Sequence, residues 1–132
     1  MHTHPILTTA NELKAGDVIL FPGEGSLAGK VSKNTSSKYT HAAICISNTQ
    51  LAELCLEGIA VSEIEKAICG FKHAAVFRNP HAWSVNRVVH LQRFVEVVKK
   101  SESKYSRAGV RQFPKNKRIA DCYKTRKKFY QR

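Results

Sequence analysis

The chain has 132 residues, of which 42% are hydrophobic and 24% charged, the make-up of a single globular domain with enough chain to bury a core. No apolar run approaches the roughly 18 residues that a membrane-spanning helix needs, and the opening MHTHPILTTANEL lacks the basic and apolar regions of a typical signal peptide. The expected location is therefore the cytoplasm, unless delivery follows another route. The net charge of +12 is unevenly spread. Residues 1–87 hold 8 Lys/Arg against 7 Asp/Glu, whereas residues 88–132 hold 14 against 3. This implies one domain over 1–132, with a compact body over about 11–100 and a basic tail over about 101–132. Such a tail is either a solvated end or an attractor for nucleic acid, anionic lipid or an acidic partner.

In chain order, His2 and His4 open a short leader and read as terminal residues rather than metal ligands. Residues 11–17 (NELKAGD) form a turn into a first strand, Val18-Ile19-Leu20-Phe21, which Pro22-Gly23 ends. A short helix is expected over residues 26–33, with Ser26 as its N-cap. Two apolar runs, 42–46 and 51–56, then flank the polar connector Ser47-Asn48-Thr49-Gln50, the pattern of a β-hairpin with a four-residue loop. That hairpin puts His41 at the start of one strand and Glu53 in the middle of the next. Antiparallel pairing brings the two onto one face, and a histidine oriented by a carboxylate is the acid–base half of a nucleophilic site.

Glu57-Gly58 predicts a turn into a strand at Ile59-Ala60-Val61. Ser62 and Glu65 have the spacing of a capping box for a brief helix closed by Gly70. Residues 74–78 read as a further strand ended by Asn79-Pro80. Ser84 caps a longer helix to about Lys100, in which Val85, Val88, Val89, Leu91, Phe94, Val95 and Val98 recur at amphipathic spacing. Asp121 would cap a closing helix. The sum is an α+β domain, a small antiparallel sheet with flanking helices. No nucleotide-binding glycine motif is present, so no cofactor is expected.

The four cysteines, Cys45, Cys55, Cys69 and Cys122, form no CxxC pair and no familiar zinc spacing, so neither a metal site nor a disulfide framework is expected. Cys45 and Cys55 sit inside apolar runs, where cysteine behaves as a small buried hydrophobe.

Three segments carry a resemblance: LKAGDVILF (13–21), GKVSKNTSSKYTHAAICI (29–46) and LAELCLEGIAVSEIEK (51–66). Together they resemble the circularly permuted papain-like cysteine hydrolases, the YiiX/YaeF-type branch of the NlpC-like superfamily, and more distantly lecithin retinol acyltransferase. The first matches the Gly-Asp turn before an apolar strand, the second the polar loop and aromatic-small-His strand, and the third the acidic strand, glycine and valine strand. The resemblance implies a permuted papain-like fold, a half-barrel with flanking helices. In it the histidine precedes the cysteine, so that His41, Glu53 and Cys122 would be base, orienting carboxylate and nucleophile. It also implies a peptide, amide or acyl-ester substrate. Cys69 is the weaker candidate for nucleophile. Where these families continue from their cysteine with an apolar helix, this sequence runs DCYKTRKKFYQR, which reads as a truncated or diverged C-terminus. The competing reading is a non-catalytic remnant of the fold that binds nucleic acid or anionic surfaces through its basic tail.

Overall fold

The computed structural model describes residues 7–23, 33, 37–55 and 57–101. Within them lie five strands and two α-helices: β1 (Val18–Pro22), β2 (Tyr39–Cys45), β3 (Gln50–Cys55), β4 (Gly58–Glu63), α1 (Ile64–Ile68), β5 (Ala75–Phe77) and α2 (Val85–Lys100). A 3-10 turn at Ala10–Glu12 precedes them. The strands form one open antiparallel sheet in the order β4-β3-β2-β1-β5. This is the expected α+β organisation. The helix expected over 26–33 (residue 33 apart), the one expected after Asp121 and most of the basic tail lie outside the described residues.

The hairpin forms where the apolar runs predict it, with its loop one residue earlier, at 46–49. Gln50 leaves the loop because it pairs with Glu63 of β4. Ser47 holds the turn, its Oγ accepting from the N–H groups of Thr49 (3.2 Å) and Gln50 (3.0 Å). Gly58, which joins β3 to β4, has φ +128°, a conformation that a side chain would disfavour.

The sheet separates two cores by the two-residue alternation of its strands. One face presents Ile19, Phe21, Ala43, Cys45 and Leu51, and Leu13 and Ile64 close over it from the N-terminal turn and α1. The opposite face presents Ile44, Ala52, Ile59 and Val61 to Leu91 and Val95 of α2. Ser84 caps α2 as its sequence indicates, its Oγ accepting from the Arg87 N–H at 3.2 Å. Gln92 Nε2 also donates to the Ile46 carbonyl at 2.8 Å, tying the helix to the hairpin loop.

The capping box expected at Ser62 and Glu65 does not form. Ser62 and Glu63 instead continue β4, opposite Leu51 and Gln50. The Ile64 N–H then donates to the Thr49 carbonyl at 2.9 Å, and α1 begins only at Ile64. Ladder pairing satisfies more backbone groups than a side-chain cap two residues earlier would, so the non-local partner decides the boundary. Nor does Gly70 close α1 with a left-handed residue; the helix ends at Ile68, with Cys69 still right-handed.

Candidate active site

The register of the hairpin builds the site. Ala43 pairs with Glu53 across β2 and β3, and Phe21 of β1 pairs with His41 of β2. His41 and Glu53 are therefore diagonal neighbours on one face, a separation that long side chains bridge. They do so here: His41 Nε2 lies 2.6 Å from Glu53 Oε2. The side chains retain 34% and 22% of their exposure, so the pair borders the core yet stays open to solvent. His41 is the third residue of β2, because pairing with β1 extends the strand back to Tyr39.

An ionised carboxylate only accepts hydrogen bonds, so with Glu53 ionised the proton of this contact sits on Nε2. In the neutral imidazole, Nδ1 then keeps its lone pair and is the nitrogen free to act as a base. No other hydrogen bond to the ring exists among the described residues. The surroundings on this side are aromatic. Phe21 lies 6.2 Å from the His41 ring centroid, and Phe71 packs 4.7 Å from Phe21. Tyr39 meets His73 edge-on at 6.0 Å, with the Lys38 ammonium 5.3 Å from the Tyr39 centroid.

None of the three described cysteines completes this pair. Cys45 is fully buried, and burial, with the Asp17 charge adding to it, pushes its thiol up to about 11. Burial and then the Glu53 charge likewise raise the Cys55 thiol. Cys69 is exposed at the end of α1, and its Sγ donates to the Lys66 carbonyl at 3.1 Å. Cys122, the nucleophile that the resemblance implies, lies outside the described residues. Among those residues no group of three His, Cys, Asp or Glu side chains is placed to hold a metal ion.

Sequence reasoning missed a second acidic centre. Asp17 is 1% exposed, and both its oxygens are taken by Arg78, with Nε to Oδ1 at 2.9 Å and Nη2 to Oδ2 at 2.7 Å. Oδ2 also accepts from the Lys14 N–H at 2.8 Å, and Arg78 Nη2 reaches the Glu12 carbonyl at 2.8 Å. Burial works to raise the Asp17 carboxyl, but these bonds outweigh it and hold the group below its ordinary value. The residues lie 61 positions apart, and no local pattern links them. The available signal was an acid at the foot of an apolar strand and a lone arginine at the end of another.

No described helix is long and apolar enough to cross a membrane. No protein-family model matches the chain, and no curated protein is significantly similar to it.

Proposed function

We propose that this chain is a thiol hydrolase of amide or ester bonds, built on a permuted papain-like fold, in which Glu53 orients His41 and Cys122 supplies the nucleophile. The observation that carries the reading is the 2.6 Å contact between His41 Nε2 and Glu53 Oε2, across the two strands that the sequence pattern singles out. In the reaction His41 Nδ1 takes the thiol proton as the Cys122 sulfur attacks the substrate carbonyl carbon. The tetrahedral intermediate collapses to a thioester, and the imidazolium returns the proton to the departing amine or alcohol. Water then attacks the thioester with His41 again as base, releasing a carboxylic acid and restoring the thiol. Glu53 keeps the ring in the tautomer that leaves Nδ1 basic and stabilises the imidazolium between the steps. Burial raises the thiols of Cys45 and Cys55 and so disfavours both as the nucleophile, which leaves Cys122 and the exposed Cys69.

The test is alkylation of the whole chain by iodoacetamide, with the modified cysteine located by mass spectrometry. Cys122 is expected to react fastest, and His41→Ala to slow it about tenfold or more by removing the base that generates the thiolate. An unchanged rate would overturn the dyad. The chain would then stand as a basic binding module, recognised by nucleic-acid affinity that falls steeply with salt.

A further inference from the structure

A cavity lies at the end of β1 opposite the His41 site. The His41 site sits where Phe21 pairs with His41, whereas this cavity begins at Gly16 and Asp17, before the pairing of Val18 with Ile44. Asp17 and Phe21 are four residue steps apart, about 13 Å of extended chain. The cavity has a volume of about 330 Å³, the lower end of the range for small-molecule sites.

Its walls are rigid on one side and cationic on the other. Gly16, at φ +93°, lies so close to Trp83 that an added Cβ would fall 2.5 Å from Cε2 of the indole. The Arg87 guanidinium sits 4.4 Å from the same ring system, so Trp83 is held between the turn and the first turn of α2. Around this wall stand Lys14, Arg78, His81, Asn48 and Asn79. The single carboxylate in the lining, Asp17, has both oxygens occupied by Arg78. Arg78 spends Nε and Nη2 on Asp17 and Glu12, and among the described residues Nη1 has no hydrogen-bond partner. Asn79 Oδ1 accepts from the His81 N–H at 2.9 Å, which leaves its NH2 group as a further donor. Asp17 is paired with Arg78, no carboxylate among the described residues forms a salt bridge with the Lys14 ammonium, and the remaining polar groups are rich in donors.

We propose that this cavity binds a compact dianion of the phosphate or dicarboxylate class, with Lys14 as its principal charge contact. Lysine serves as a point charge for such ligands, and the Arg78, Asn79 and His81 donors orient them. The site is independent of the proposed hydrolase chemistry and uses none of its residues.

Trp83 is the only tryptophan in the chain and lines this cavity, so its fluorescence is the readout. The full chain is titrated with inorganic phosphate and, separately, with succinate, at an ionic strength held constant with sodium chloride. A saturable change with either dianion supports the site, and the stronger of the two identifies the ligand class. Lys14→Ala is expected to weaken that binding about tenfold, the loss of one charge-assisted hydrogen bond. His81→Gln, also at an exposed position, should weaken it by a smaller factor. Unchanged fluorescence would overturn the proposal. So would an equal change with chloride alone, or unaltered affinity in Lys14→Ala.

Discussion

The carboxylates of Asp17 and Glu53 both face basic partners, and they are built for opposite purposes. Asp17 is sealed from solvent, accepts three hydrogen bonds and has no freedom left on either oxygen. Glu53 keeps a fifth of its exposure, and the contact with one imidazole nitrogen is its single hydrogen bond among the described residues. A buried carboxylate with saturated partners has a fixed charge and acts as a fastener, here joining the N-terminal turn to the segment after β5. A partly buried carboxylate with one histidine partner leaves the second ring nitrogen open, which proton transfer requires. Burial and partner count, rather than residue type, separate the two roles.

The comparison is broken most forcefully at Arg78. Arg78→Ala leaves the Asp17 carboxylate buried and without its counter-charge, and should cost about 3 kcal/mol or more in urea unfolding. The pH dependence gives the sign independently. Because the folded state holds Asp17 below its ordinary value, its contribution is complete above the unfolded pKa of about 4. That contribution is lost as pH falls through the folded value. In Arg78→Ala the unpaired, buried carboxyl takes up its proton more readily when folded. The stability gap between the two proteins should therefore narrow as the pH is lowered, from the raised folded value of the variant down through the lowered folded value of the parent, and a gap constant with pH would remove the clamp from the account.

Gly16 tests the same corner by shape instead of charge. Its φ of +93° and the nearby indole leave no space for a methyl group. Gly16→Ala should cost about 1–3 kcal/mol and shift the Trp83 fluorescence, since either the turn or the ring must move. Away from both centres, Ser84→Ala removes the α2 cap and should cost about 1 kcal/mol by the same unfolding measurement.

Local signals carried much of this fold. The hairpin, the start of β1 and the capped helix α2 follow from alternation, turn residues and an N-cap serine, each read within a dozen residues. The His41–Glu53 contact hangs on a single residue of register: a loop over 47–50 with Ile46 opposite Leu51 would put the two side chains on opposite faces, whereas the observed pairing of Cys45 with Leu51 puts them on one. What the sequence hid depends on distant partners. Ser62 resembles a helix cap until Leu51 is placed opposite it in the sheet. β5 pairs with β1 rather than with a sequence neighbour, and that pairing brings Arg78 to Asp17. Long-range pairing sets both the strand boundary and the ion pair, and neither leaves a periodic trace.

The smallest stability effect bears most directly on function. His41→Ala and Glu53→Gln each remove a half-exposed contact, and exposed pairs of this kind contribute between zero and about 1 kcal/mol. Unfolding in urea should therefore move little for either variant, while iodoacetamide alkylation of Cys122 falls in both. A loss near that of Arg78→Ala would make the pair a second fastener like Asp17–Arg78, and the proposed catalytic role would lose the contact that supports it. Near-unchanged stability with slowed alkylation would instead separate the two carboxylates as their burial separates them, one holding the fold and the other serving the histidine.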